Sequence, residues 1–159
     1  MKAGNCNHSM KMGKIIFLLL LICLAIPQDS NAGEKGSPAT EIQVPYDYKD
    51  YDAIISGTAS KLENSTRILV KGRFTNNYWD GFCDIDVYLT TIKKDGTKGA
   101  VKRFYLGDLL EGESDKYELA VDCSPEIKNL ELTFIYEICS TRHETPADFI
   151  TITIPWTPK

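Results

Sequence analysis

Apolar and polar side chains alternate in short runs along this chain, and no long stretch shows the period of an amphipathic helix. In one such run, Ile68, Val70 and Phe74 alternate with charged residues, so one face of the segment is apolar and the other polar. Runs of this kind, rich in β-branched and aromatic residues and bounded by turn residues, predict seven strands. The predicted strands span residues 51–58, 66–75, 83–93, 99–106, 116–123, 130–139 and 149–154.

Short alternating strands with no helix between them predict an all-β fold. We expect a two-sheet antiparallel sandwich of about seven strands, of the immunoglobulin or fibronectin type III kind, with the apolar positions between the sheets. The residues Lys94, Asp95 and Gly96 form a hairpin signal between the third and fourth predicted strands. A closed barrel is the alternative, because barrels have the same strand pattern.

Residues 1–32 have the pattern of a secretory signal peptide. Three lysines precede an unbroken apolar run over residues 15–26, and small residues at 30–32 are typical of a cleavage site. A membrane-spanning helix needs roughly 20 apolar residues, so this short run favours cleavage before Gly33 over a retained anchor. We therefore predict an exported, periplasmic or extracellular protein with no stable membrane span after cleavage.

The rest of the chain divides into a leader and one domain. Residues 33–45 are polar and contain glycine and proline, so we predict a flexible leader without packed structure. Residues 46–159 are predicted to form the sandwich domain. The net charge of −4 and the absence of a basic run argue against nucleic acid and anionic membrane surfaces as partners.

Three cysteines follow the predicted signal peptide, in a compartment that should be oxidising: Cys83, Cys123 and Cys139. If neighbouring strands alternate in direction, the third strand begins and the sixth ends at one pole, whereas the fifth ends at the other. This placement predicts a Cys83–Cys139 disulfide and leaves Cys123 free or intermolecular. Strict alternation turns Cys83 inward and Cys139 outward, so a bulge or a strand end must rotate one of them.

No catalytic, metal or cofactor constellation stands out in the sequence. The Gly-x-Ser-x-Gly elbow is absent, and His143 is the one histidine after the predicted signal peptide. Asp80, Asp84 and Asp86 carry oxygens that calcium binds, but no calcium-type loop surrounds them, so a solvated strand face is favoured. We therefore predict a protein that is not an enzyme and has no cofactor and no metal site.

The loop over residues 77–82 is the candidate binding site. Aromatic side chains in a loop between two strands can stack on a sugar ring or on a partner side chain. The candidate binding residues in this loop are Tyr78, Trp79, Asp80 and Phe82. The alternative is that Trp79 or Phe82 folds back and covers the open end of the core, because large aromatic side chains are usually mostly buried.

Residues 68–121 resemble the FxLYD-type domains of bacterial envelope proteins. Segments 70–77, 94–96 and 106–114 are similar to the family's strand ending in asparagine, its Asp-Gly hairpin and its leucine- and glycine-containing crossover. Leu89–Lys93 stands where the family has its naming Phe-x-Leu-Tyr-Asp motif, and departs from it. The resemblance implies an immunoglobulin-like sandwich that serves as an interaction or structural module without catalysis.

From these patterns we expect a non-catalytic secreted or periplasmic module that contacts an envelope protein through an exposed sheet edge or loop face. The alternative is a carbohydrate-binding module that holds a glycan on the loop from Tyr78 to Phe82.

Overall fold

The computed structural model of the chain describes residues 40–157. Within them, two four-stranded antiparallel sheets form a sandwich, which confirms the predicted fold class. The two sheets do not join into a closed barrel over these residues. The predicted signal peptide, residues 1–32, lies outside the described part of the chain. The strands are β1 (Thr40–Lys49), β2 (Ala53–Leu62), β3 (Arg67–Asn76), β4 (Phe82–Lys93), β5 (Lys98–Leu109), β6 (Ser114–Asp122), β7 (Ile127–Ile138) and β8 (Asp148–Pro155).

The first sheet has the strand order β1-β2-β3-β6 and the second has the order β5-β4-β7-β8. Without β1, these orders are those of a fibronectin type III sandwich, in which the chain crosses between the sheets after its second strand. Because every neighbouring pair is antiparallel, the loops alternate between two poles. The loops after β1, β3, β5 and β7 share one pole, and the predicted binding loop is among them.

β1 is an eighth strand that the sequence pattern does not predict. Thr40–Lys49 pairs with β2 along its whole length, so residues 40–45 form a strand where a flexible leader was predicted. Ile42 and Val44 pack against the core, and the ring of Tyr46 is buried. The leader was predicted from its polar and proline content. However, β1 is an edge strand, and an edge strand tolerates a proline such as Pro45 where the backbone nitrogen faces away from the neighbouring strand.

The core lies between the two sheets and uses the predicted inward positions. On β3, Ile68, Val70 and Phe74 have no exposed surface, and the alternating residues between them face outward. Trp156 follows the last strand and is also fully buried, with its backbone N–H donating to the Lys128 carbonyl. The sequence pattern ended the last strand at the prolines around Trp156 and did not include this ring in the core.

One row across the inner face of the first sheet has aromatic ends and a glycine centre. Tyr46, Gly57, Gly72 and Tyr117 are register partners on β1, β2, β3 and β6. A Cβ atom at Gly72 would lie 2.5 Å from the Tyr117 hydroxyl, and one at Gly57 would lie 2.5 Å from the Tyr46 hydroxyl. The two rings therefore lie over the glycines. This close approach explains a glycine within β3, where it would otherwise weaken the strand.

Candidate binding surface

Phe82 is a core residue and not part of an accessible site. Its ring is 1% exposed and lies 4.3 Å from the ring of Tyr136 and 6.0 Å from that of Phe74, measured between centroids. Phe82 thus follows the predicted alternative, in which an aromatic ring of this loop folds back over the end of the core. We therefore remove Phe82 from the predicted set of binding residues.

Tyr78 and Trp79 continue from Phe82 toward the solvent. The ring of Tyr78 stacks on Phe82 with 5.9 Å between centroids and an angle of 13° between the planes. Trp79 lies 5.4 Å from Tyr78, and 68% of its surface is exposed. Trp79 thus does not cover the core, and its ring is available to a partner. Tyr78 is half-buried, and its ring contacts both Trp79 and Phe82.

Asn76 holds the loop in place from a fully buried position at the end of β3. Its amide nitrogen donates to the carbonyls of Asp80, at 2.8 Å, and Leu109, at 3.0 Å. Its side-chain oxygen accepts the backbone N–H of Tyr78 at 2.8 Å. Breaking any of these three hydrogen bonds would leave a buried polar group without a partner, which is energetically costly. The Asn76 side chain therefore holds the loop in one conformation. The Asn76 side chain thus joins its own loop to Leu109, the last residue of β5.

Asp80 serves the structure of the loop. Its carboxylate accepts the backbone N–H of Ser140 at 3.3 Å and that of Gly81 at 2.7 Å. A hydrogen bond from the Ser140 side chain, followed by the bond from the Gly81 N–H, holds the pKa of Asp80 below its usual range. The carboxylate is therefore charged at neutral pH, and both of its oxygens already have protein partners. This leaves Asp80 a weaker candidate for contact with a ligand than the sequence implies.

The predicted disulfide joins Cys83 to Cys139, with 5.2 Å between the Cα atoms, and Cys123 is a free thiol. The parity of the strands required a bulge or a strand end to rotate one cysteine, and the structure has both. The register of β4 shifts next to Cys83, where Asp84 has a positive φ of 51°. Cys139 lies just past the end of β7, in a short 3-10 turn over Cys139–Thr141. The bridge thus ties the start of β4 to the segment after β7, beside the aromatic loop.

The carboxylates of Asp84 and Asp86, which follow the disulfide, pair with arginines. Arg142 donates to Asp84, and this hydrogen bond is the main cause that lowers the pKa of Asp84 and raises that of Arg142. Arg103 makes a bidentate pair with Asp86, with both N–O distances 2.7 Å. Among residues 40–157, no group of three or more histidine, cysteine or acidic side chains is placed to hold a metal. Asp84 and Asp86 are thus each held by an arginine of another segment of the chain.

Two further exposed apolar side chains lie on neighbouring loops at the same pole. Tyr51, between β1 and β2, is 80% exposed, and Leu110, between β5 and β6, is 62% exposed. The side-chain amide of Asn77 donates to the Tyr51 carbonyl at 2.9 Å, and the Gly112 N–H donates to the Asn76 carbonyl at 2.9 Å. These bonds join three loops into one unit. We call the exposed side chains of Tyr51, Trp79 and Leu110 the loop surface.

Alternation of polar and apolar residues could not identify Tyr51 and Leu110. The pattern placed Tyr51 at the start of a strand and Leu110 in a crossover, and only the shared pole brings them beside the aromatic loop. A signal was available in Leu110 itself, since a large apolar residue among Glu111, Gly112 and Glu113 has no strand partner to pack against.

No family model matches the sequence. A search of curated proteins finds no match either. The resemblance to FxLYD-type domains therefore stays a prediction. Over the described residues, no helix is long and apolar enough to cross a membrane.

Proposed function

We propose that this protein is an exported, non-catalytic binding module that contacts a partner protein of the cell envelope through the loop surface. The observation that carries the proposal is the exposure of Tyr51, Trp79 and Leu110 on loops that hydrogen bonds join into a rigid unit. Tryptophan and tyrosine side chains held on a rigid support are among the groups that contribute most to protein interfaces. The disulfide is consistent with an oxidising compartment outside the cytoplasm.

A protein partner fits the loop surface better than a glycan does. Sugar rings stack on flat aromatic faces, and polar side chains beside them bond the hydroxyl groups. Here Phe82 is buried, and the Asp80 carboxylate already accepts bonds from Ser140 and Gly81. The aliphatic Leu110 adds contact area that suits a protein side chain. The exposed aromatic rings of Trp79 and Tyr51 are the observations that favour the carbohydrate-binding alternative.

Photo-cross-linking in the native envelope tests the proposal. We would replace Trp79 with p-benzoylphenylalanine and place the same residue at Val101, which is 55% exposed on β5 and lies outside the loop surface. We expect a discrete cross-linked protein from position 79 and none from position 101. The yield from position 79 should fall when Leu110 is changed to Ala, whereas a second change of Val101→Ala should leave it unchanged.

A glycan array with the purified protein separates the two candidate functions. Binding to a glycan that is lost in Trp79→Ala, together with no protein cross-link from position 79, would establish the carbohydrate alternative in place of the protein partner. Equal cross-linking from positions 79 and 101, or none from either with no glycan bound, would contradict a binding role for the loop surface.

A further inference from the structure

A cleft of about 460 Å³ lies on the first sheet, at a place different from the loop surface. Lys71 and Arg73 occupy outward positions on β3, and Lys116 and Glu118 occupy outward positions on β6. Ser56 from β2 and Phe104 from β5 complete the part of the lining used here. In a chain with a net charge of −4, this cleft carries three positive charges and one negative charge.

The cations stand in a register that costs the fold energy. Arg73 and Lys116 are direct cross-strand partners, and Lys71 is two residues from Arg73 on the same face. Like charges directly opposite each other in a sheet are destabilising. The Arg73–Lys116 pair does not stabilise the sheet, since an uncharged or acidic residue at Lys116 would pair better with Arg73. A cost of this kind at a cleft indicates that the charges serve a ligand.

The charged groups of the cleft have few partners of their own. Within residues 40–157, the ammonium groups of Lys71 and Lys116 make no ion pair and no hydrogen bond. The guanidinium of Arg73 makes one side-chain hydrogen bond, to the Ser114 hydroxyl at 2.7 Å. Elsewhere in the domain Arg103, Arg142 and Lys98 are each paired with a carboxylate. Glu118 lies opposite Lys71 in register but does not pair with it.

We propose that this cleft binds a phosphate group, carried by a small molecule or by a lipid headgroup, with Lys71, Arg73 and Lys116 as the binding residues. Three positive charges and the carboxylate of Glu118 leave a local charge of +2, and a phosphate monoester carries about −1.5 to −2 at pH 7. An arginine guanidinium matches two phosphate oxygens at once, and lysines add point charges around them. The ring of Phe104 and the aliphatic stems of the lysines supply an apolar wall for the body of the ligand.

The sequence does not show this site, because its cations are far apart along the chain. Lys71 and Arg73 belong to one strand and Lys116 to another, so no basic run is present. The net charge argues against anionic partners for the protein as a whole, but a ligand responds to the local potential inside a cleft. Pairing of β3 with β6 creates that potential.

Titration with inorganic phosphate at constant ionic strength, followed by NMR on the exported protein, is the first test. We expect saturable shifts at Gly72 and its neighbours, and about tenfold weaker binding in Lys71→Gln/Arg73→Gln/Lys116→Gln. Lys49→Gln/Lys102→Gln/Lys128→Gln changes the net charge equally and should bind as the unmodified protein does. Glu118→Gln should bind phosphate more tightly, because it removes a negative charge from the cleft.

A loss of phosphate binding in these variants can be distinguished from a loss of folding. Removing the Arg73–Lys116 repulsion should leave the triple variant of the cleft at least as stable as the unmodified protein, and urea unfolding checks this. Shifts that do not saturate, or an equal loss in the triple variant of Lys49, Lys102 and Lys128, would overturn the proposal.

Vesicles distinguish the two sources of the phosphate group. If the source is a lipid headgroup, the protein should sediment with vesicles of phosphatidylcholine and phosphatidic acid, but not with phosphatidylcholine alone, and the cleft variant should stay in solution. Binding of inorganic phosphate without sedimentation assigns the cleft to a soluble phosphate compound. Absence of both kinds of binding would refute the site.

Discussion

The hydroxyl groups of Tyr46 and Tyr117 meet at 2.9 Å in the interior of the first sheet, although 71 residues separate them along the chain. Tyr46 donates to the Lys71 carbonyl at 3.1 Å, so the contact between the two hydroxyls is donated by Tyr117. The hydrogen bonds therefore run in one direction, from Tyr117 through Tyr46 to the backbone of β3. They join the two edge strands, β1 and β6, across the glycines of β2 and β3.

This direction makes the two tyrosines unequal. Tyr46→Phe should lower the free energy of unfolding by about 1–3 kcal/mol, because it leaves the buried Tyr117 hydroxyl without its acceptor. Tyr117→Phe should cost less, since Tyr46 keeps its bond to Lys71. The double variant should lose less than the sum of the two single losses. Urea unfolding of the three variants measures this, and additive losses would show that the hydroxyls do not interact.

The same tyrosines should make stability depend on pH in alkaline solution. Burial raises the pKa of Tyr46 to about 12 and that of Tyr136 to about 12, and it raises the pKa of Tyr117 as well. In the unfolded chain tyrosine titrates near 10, so between about pH 10 and 12 the unfolded state has lost protons that the folded state keeps. The free energy of unfolding should therefore be unaffected by these groups below pH 10 and should fall as the pH rises above it.

Urea midpoints from neutral pH to pH 11 check this expectation. Tyrosinate absorbance should rise together with unfolding, because the buried rings ionise once they are exposed. Tyr46→Phe/Tyr117→Phe should show a shallower fall than the unmodified protein. An identical fall in both proteins would assign the alkaline sensitivity to other groups.

Asn76 is expected to be among the most sensitive polar positions. Asn76→Ala leaves the carbonyls of Asp80 and Leu109 and the N–H of Tyr78 without their partner, and should cost about 3 kcal/mol. Asn76→Asp should be worse at neutral pH, because a carboxylate would face two carbonyl oxygens. Asn77→Ala is the matched control, since its side chain is exposed and bonds only the Tyr51 carbonyl. Equal losses at the two positions in urea unfolding would contradict the structural role of Asn76.

Loss of the disulfide should destabilise the domain strongly. Cys83 and Cys139 are 56 residues apart, and closing a loop of that length restricts the unfolded chain by about 4 kcal/mol. We expect Cys83→Ala/Cys139→Ala to lower the denaturant midpoint accordingly, in a Cys123→Ser background that prevents thiol exchange. Cys123→Ser alone should have a small effect because this cysteine is free and only partly buried. Peptide mapping that joins Cys123 to either partner would refute the pairing.

Trp79 and Phe134 should respond differently to truncation. Phe134→Ala removes a fully buried ring and should cost about 3–5 kcal/mol. Trp79→Ala removes a ring that is 68% exposed and should cost at most about 1 kcal/mol. Thermal unfolding of the two variants compares them directly. A loss for Trp79→Ala as large as that for Phe134→Ala would show that Trp79 supports the core, and would remove it from the loop surface.

The sequence by itself determined the strands and their faces. Alternation predicted seven of the eight strands to within a few residues, because a strand with one buried face must place an apolar side chain at every second position. The same alternation, with the order of the strands, predicted the Cys83–Cys139 bridge and the need for a bulge or a strand end beside it. The position of a strand and the face on which each of its side chains lies are local properties, which a strand carries in its own residues.

Only the tertiary structure decided what depends on neighbours from elsewhere in the chain. β1 could not be predicted, because its stability comes from pairing with β2 and from the place of Tyr46 over Gly57. Phe82 is buried and Trp79 is exposed because Phe82, and not Trp79, reaches the rings of Tyr136 and Phe74. The residues next to each ring in the sequence do not indicate which of the two will do so. The loop surface and the cationic cleft likewise exist only after strand pairing, since a pole or a sheet face gathers side chains that the chain itself keeps far apart.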